Sequence, residues 1–206
     1  MMLMNIDYEK IGGEIQQSFS NLLKEHLPKN LLEKVKQNKQ VRIISIACGK
    51  FIEAECFFDY FSPNEKLIKL YGIEIDEELL NSAKKRLLTN DKKDRIFLKS
   101  GDASKLENYE EWIENDLFDL IIIRHPEITF NTNVFMKIFS TCSNLLNQDG
   151  YLLITTHYEN EKRALDYLFK ILKLNALTEI ENKNAVSLKK GEETVFADKF
   201  LLITSK

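Results

Sequence analysis

Leu70-Tyr71-Gly72-Ile73-Glu74-Ile75-Asp76 reads as a buried strand that ends in an acid. About 25 residues earlier lies a turn of small residues, Ala47-Cys48-Gly49-Lys50, which itself follows the β-branched run Val41-Arg42-Ile43-Ile44-Ser45-Ile46. Strand, tight turn, helix and a second strand tipped by a carboxylate make half of an open parallel α/β fold. At such a tip Glu74 stands where the two hydroxyls of a ribose need an acceptor. The turn holds one glycine, Gly49, and so lacks the close backbone approach that a pyrophosphate requires. The pattern therefore favours a nucleoside without phosphates over a dinucleotide.

The same alternation continues on both sides. Helices are predicted over Ile52 to Phe61, Asp76 to Leu87, Leu106 to Glu114, Asn133 to Leu146 and Asn160 to Leu174. The helix after Glu74 has an acidic first turn and a basic last turn, which suits its dipole. Strands are predicted at Arg95 to Lys99, Phe118 to Ile123 and Tyr151 to Thr156. After the fifth unit come three strand-like pieces, Leu177 to Glu181, Ala185 to Leu188 and Lys199 to Thr204, with no long helix between the last two and a loop at Gly191-Glu192-Glu193. The fold class expected is a doubly wound, mostly parallel seven-stranded sheet with an antiparallel C-terminal edge hairpin and helices on both faces. Residues 1–40 are expected to add N-terminal helices, broken near Gly12-Gly13 and at Pro28.

Composition narrows the function classes. The chain has 206 residues and a net charge of −3, so it has no general attraction for polyphosphate, and a duplex nucleic-acid partner is disfavoured. No apolar run approaches the roughly 18 residues of a membrane span. The opening Met1-Met2-Leu3-Met4-Asn5-Ile6-Asp7 is too short and acidic for a signal peptide. Cys48, Cys56 and Cys142 are scattered without metal spacing, so no metal site is expected and the reducing cytoplasm is the default compartment.

Ligands of open α/β sheets bind beyond the carboxyl ends of the strands. The residues there are Ala47, Cys48, Gly49 and Lys50; Glu74, Ile75 and Asp76; Gly101, Asp102 and Ala103; Arg124, His125, Pro126 and Glu127; and His157 and Tyr158. Two carboxylates at neighbouring tips suit a nucleoside, one for ribose hydroxyls and one for an adenine amino group, with Ile75 flat against the base. Plainer roles stand beside these. Glu74 could be a helix N-terminal acid satisfied by backbone amides, and Asp102 a turn residue. Arg124 could fork onto a ligand carboxylate or form an ordinary salt bridge, and His125 could be a general base or a pocket wall.

In order and spacing, Val41 to Lys206 resembles the class I S-adenosylmethionine-dependent methyltransferases. Ile44-Ser45-Ile46-Ala47-Cys48-Gly49-Lys50-Phe51 is similar to that family's glycine motif, Tyr71 to Leu80 to its second motif, and Ser100-Gly101-Asp102-Ala103 to its third. Phe118 to Ile123 and Leu146 to Ile154 resemble its fourth and fifth strands. The resemblance implies a Rossmann-like domain over 41–206, with residues 1–40 as a lid on an acceptor pocket. It implies S-adenosylmethionine as cofactor and S-adenosylhomocysteine as product. Glu74 would take the ribose hydroxyls and Asp102, with Ala103, the adenine edge; Ile75 would cover the base. The backbone near Ala47 and Gly49, with Cys48 between them, would cradle the methionine part; Arg124 on its carboxylate stays one of that residue's two open readings.

Three positions depart from the family pattern. Ser45 replaces an acid, and Ala47 and Phe51 replace glycines. A Phe51 ring at this position could crowd the methionine tail. Arg124-His125-Pro126-Glu127 does not match the Asn-Pro-Pro-aromatic loop of amino-methylating relatives, so DNA-adenine and glutamine-amide acceptors are disfavoured. The expected reaction is methyl transfer to a small molecule, with His125 as the candidate catalytic residue. The competing expectations are a non-catalytic methyltransferase-like scaffold, motivated by Ser45, Ala47 and Phe51, and an NAD-linked reductase.

Overall fold

The computed structural model describes residues 8–87, 91–113, 116–190 and 193–205. Five strands, β1 (Val41–Ile46), β2 (Ile68–Glu74), β3 (Ile96–Ser100), β4 (Phe118–Arg124) and β5 (Leu146–Thr156), run parallel, and β6 (Asn175–Glu181) and β9 (Phe200–Ser205) complete the sheet. Its order is β3-β2-β1-β4-β5-β9-β6. The chain leaves the centre in opposite directions from β1 and β4, which creates the crevice where such sheets bind ligands.

The central strands are buried throughout, as their unbroken β-branched runs require: every residue of β1 is buried. On one face, α1 (Tyr8–His26), α2 (Lys29–Lys36), α3 (Ala54–Tyr60) and α4 (Glu77–Leu87) pack through Phe19, Leu23, Leu31, Phe57 and Leu87. On the other, α5 (Glu110–Ile113), α6 (Thr132–Leu145) and α7 (Glu159–Leu172) pack through Trp112, Phe139, Leu165 and Phe169. The N-terminal helices thus share one core with β1. No helix among the described residues is long and apolar enough to cross a membrane.

Two details differ from the sequence reading. Helix α1 runs through Gly12 and Gly13 instead of breaking there. Each glycine costs a helix about 1 kcal/mol relative to alanine. The burial of Ile15, Phe19, Leu22 and Leu23 one to three turns later outweighs that cost.

The second difference is at the C-terminus. Strand β9 lies one place in from the edge, antiparallel to both β5 and β6. The piece near Ala185 leaves the sheet as β7 (Val186–Lys190), which pairs with β8 (Glu193–Ala197) as a separate hairpin. Strand β8 was not expected, although Val195 and Ala197 are buried while Thr194 and Phe196 face solvent, the alternation of a half-covered strand. The hairpin packs on the front of α1 through Leu188, Val195, Ala197 and Ile15, next to Ile52 and Tyr158.

Candidate active site at the carboxyl edge of the sheet

The turn after β1 bends through three left-handed residues, Ala47 (φ 52°), Gly49 (φ 52°) and Phe51 (φ 51°). Two of them carry side chains that disfavour this region. The Cys48 amide donates to the Ile73 carbonyl (3.0 Å), which carries the β1–β2 ladder one rung past the strand. The left-handed twist at Phe51 turns its ring inward. Phe51 is buried in the core with Cys48 and Phe57, not in the mouth of the site. Gly72 makes this possible: a Cβ there would come within 3.2 Å of the Phe51 ring, 2.9 Å of Cys48 Sγ and 2.8 Å of Leu98 Cδ2. The expectation that Phe51 crowds a bound tail is thereby corrected.

The acid missing at Ser45 is supplied from elsewhere. Ser45 Oγ donates to Glu53 Oε1 (2.6 Å), and both side chains are buried. A carboxylate therefore still sits behind the turn, borrowed from the start of α3. The Cys48 thiol is pushed up by burial and then by Glu53 and Glu74, so it is no nucleophile.

Glu74 is 6% exposed, and its carboxylate accepts three backbone amides. Ile75 N and Asp76 N donate to Oε1 (2.9 Å each) and Gly49 N donates to Oε2 (2.7 Å). An ionised carboxylate has about four lone-pair positions, so one remains, on Oε2. Glu74 thus accepts the amides of the following turn, and its carboxylate has room for one more proton donor, or for two if Gly49 lets go. Ile75 beside it is 70% exposed.

Glu74 pairs with Ser100 across β2 and β3, and Gly101 N donates to the Glu74 carbonyl (3.0 Å), so Asp102 is held near the same rung. Asp102 Oδ1 accepts the Ser104 hydroxyl (2.7 Å) and the Ser104 amide (2.9 Å). These bonds, the hydroxyl first, hold its carboxyl below the ordinary value. The Ala103 carbonyl accepts the buried Tyr109 hydroxyl (2.9 Å), which fixes the loop. Ala47, Gly49, Glu74, Ile75 and Asp102 thus line adjoining strand tips, two of them carboxylates.

Of the two roles expected for Arg124, the structure shows the salt bridge, buried rather than at the surface. Its guanidinium forks onto Asp198 through Nε (3.1 Å) and Nη2 (2.5 Å), reaches Glu53 at 3.5 Å, and lies 4.3 Å from the Phe19 ring centre. Burial works to lower its pKa, but Asp198 and then Glu53 override this and hold it above its ordinary value. Arg124 is a buried cation whose Nε and Nη2 fork is taken by Asp198 and whose Nη1 faces Glu53.

His125 follows with φ 52°, its amide on the Thr155 carbonyl (2.8 Å). Its Nε2 lies 2.9 Å from Asp198 Oδ1 and 3.0 Å from the Asp198 amide. Thr155 Oγ1 also donates to Asp198 Oδ1 (2.5 Å). Burial would raise the Asp198 carboxyl, yet Arg124 and then His125 hold it far below the usual range. The His157 ring stacks on His125 at 3.9 Å, and its Nδ1 meets the Phe196 carbonyl at 2.9 Å. Burial, then the neighbouring His125, pulls His157 down to about 4.

Asp198, on the β8–β9 turn, was missed in the sequence, as were Glu53 and Thr155. Asp198 lies 74 residues from Arg124, and only its buried acid between two strands hints at a partner. Two cavities lie away from this edge. One of about 450 Å³ opens between Asn30, Lys34 and Tyr151, and one of about 250 Å³ between α1 and Asn182.

No family model matches the chain, and no curated protein matches it. Solved structures do. An S-adenosylmethionine-dependent methyltransferase from Clostridium acetobutylicum superposes with TM-score 0.61 at 14% identity, over 92% of this chain and 91% of that one. Magnesium protoporphyrin IX methyltransferase from Synechocystis, solved with bound cofactor, gives 0.61 at 11% identity, over 100% and 86%. A Pyrococcus horikoshii protein, PH0226, gives 0.58 at 16% identity, over 86% and 87%. Sheet order, the inserted antiparallel strand and these superpositions agree: the chain has the fold of the class I S-adenosylmethionine-dependent methyltransferases.

Proposed function

We propose that the protein is a methyltransferase that binds S-adenosylmethionine at the tips of β1, β2 and β3 and methylates a small molecule. The observation that carries this reading is the pair of carboxylates, Glu74 and Asp102, at adjacent tips beside the exposed Ile75. The residues fit the cofactor. The remaining lone pair of Glu74 Oε2 suits one ribose hydroxyl, and the second is accommodated if Gly49 N shifts from Glu74 to the ligand. Asp102 and Ala103 would meet the adenine edge and Ile75 its face. The methionine part would lie along Ala47, Cys48 and Gly49, where a Cβ on Gly49 would meet nothing within 4 Å.

The bound cofactor supplies an activated methyl group. The chain's task is to hold an acceptor in line with it and to exclude water, which provides much of the rate. The front of α1 and the β7–β8 hairpin pack together next to Ile52 and Tyr158, which follow β1 and β5, and would wall the acceptor pocket. Neighbours of this fold include TrmN from Thermus thermophilus and a fibrillarin/Nop5p complex, so the fold alone does not choose the acceptor. The net charge of −3 favours a small molecule over nucleic acid. Titration calorimetry with S-adenosylhomocysteine tests the reading: saturable one-site binding is expected, and no heat at millimolar ligand would refute it.

A second reading, a module that binds the nucleoside without turning it over, draws on the engagement of Glu74 by Gly49. Bound cofactor that never loses its methyl group to any acceptor panel would favour it.

A further inference from the structure

The turn after β1 carries two side chains, Ala47 and Phe51, in the left-handed region, with Gly49 between them in the same conformation. Side chains resist that region, so the turn depends on bonds from outside it to keep its shape. Its start is tied to β2, where Cys48 N donates to the Ile73 carbonyl (3.0 Å). Its middle is tied to Glu74 through Gly49 N (2.7 Å). Its end is tied by Arg86.

Arg86 belongs to the basic last turn of α4, and it reaches out of its own helix. Its Nη2 donates to the Lys50 carbonyl (2.9 Å) and to the Phe51 carbonyl (2.6 Å). Its Nη1 meets Glu55 in the first turn of α3, which aims the guanidinium. The Phe51 carbonyl also accepts Ala54 N (3.2 Å), and Phe51 N donates to the Cys48 carbonyl (2.7 Å), so the clamped residues lead directly into α3. Two successive carbonyls on one planar, charged group are fixed in direction as well as place. The side chains of Arg86 and Glu55 are 36% and 34% exposed. An ion pair this open adds little to global stability, so the effect of the clamp is local to the turn.

Cofactor entry is the moment at which this clamp matters. For Glu74 to accept both ribose hydroxyls, Gly49 N must leave it, and the middle tie is then gone. The ties at Cys48 and at Arg86 stay in place. We propose that Arg86 is a positioning residue for cofactor binding: it holds Lys50 and Phe51 while Gly49 changes partner, so that the turn keeps the shape that receives the methionine part. What the turn receives rests on the methyltransferase reading; the clamp itself does not. Arg86 acts through the backbone of the turn and not by contact with the cofactor. It is therefore expected to govern the amino-acid end of the ligand and to leave the nucleoside end, at Glu74, Ile75 and Asp102, unaffected.

Arg86→Met and Arg86→Lys test this, read by amide hydrogen exchange and by calorimetry. Lysine keeps a charge for Glu55 but offers a point charge in place of the planar fork, so it separates the carbonyl clamp from the salt bridge. Exchange over residues 48–53 should quicken about 10-fold in both variants, while β1, β4 and β5 keep their wild-type protection. Affinity for S-adenosylhomocysteine should fall about 10-fold. 5′-Methylthioadenosine, which keeps the nucleoside and the sulfur but lacks the amino-acid part, should bind within about 2-fold of wild type. Unchanged exchange over 48–53 would overturn the clamp. So would wild-type behaviour of Arg86→Lys beside a defective Arg86→Met, which would assign the effect to Glu55. Equal losses for the two ligands, or a loss for neither, would overturn the positioning role. Absence of S-adenosylhomocysteine binding by the wild type would instead remove the methyltransferase reading, and the exchange result would still decide the clamp.

Discussion

Glu74→Gln is the perturbation whose consequences follow most directly from geometry. Glutamine keeps the shape of the side chain. Its oxygen can still accept Ile75 N and Asp76 N, the two amides on Oε1. Its NH2 then lies where Oε2 now accepts Gly49 N at 2.7 Å, and two donors face each other. The lost charge-assisted bond and the unsatisfied amide together cost about 2–3 kcal/mol, partly relieved because Gly49 is half-exposed. For a chain of this length that is a fall in melting temperature of about 4–12 °C. The same change removes the lone pair assigned to ribose, so S-adenosylhomocysteine affinity should fall about 10- to 100-fold. Urea denaturation gives the first quantity and titration calorimetry the second. Unchanged stability would refute the Gly49 bond. Unchanged affinity in a normally folded variant would refute the role of Glu74 in holding the cofactor.

Three further predictions follow from the packing and the buried charges. Gly72→Ala should destabilise by about 1–3 kcal/mol in urea, because its Cβ meets Leu98, Cys48 and Phe51 at once; a neutral result would mean that Phe51 does not sit under β2. Arg124→Met should cost about 3–5 kcal/mol by leaving Asp198 and Glu53 unpaired in the interior, and a variant as stable as wild type would contradict the buried fork. His157 is held at about 4 against an ordinary 6.5, so the unfolded chain binds the extra proton first and stability falls as pH drops from about 6.5 to 4. His157→Gln should remove up to about 3 kcal/mol of that acid loss between pH 7 and pH 4, and an unchanged pH profile would contradict the neutral, half-buried ring.

The strand tips were legible because they are local. A β-branched run, a turn and an acid announce β2 and Glu74, and Asp102 follows β3 at a spacing that the βα repeat imposes. Charge partners across the sheet were not. Arg124 looks like a free fork until β9 comes in beside β5 and brings Asp198 to it, a pairing set by the long-range register of Thr155 with Leu201 and Thr156 with Phe200. Ser45 read as a lost acid, whereas Glu53, eight residues on, restores it from the position just before the next helix. Phe51 read as an obstruction because a sequence cannot say which way a ring turns. The positive φ, together with the space left by Gly72, sends it into the core. Strand β8 carried the right alternation but is short, and it pairs only with its neighbour β7, outside the main sheet.

The central claim is that the carboxyl edge of β1, β2 and β3 holds S-adenosylmethionine through Glu74 and Asp102. Calorimetry of the wild-type protein with S-adenosylhomocysteine, run beside Glu74→Gln, measures it most directly. Saturable one-site binding that weakens in the variant is the predicted result. No binding by the wild type at millimolar ligand would contradict the claim.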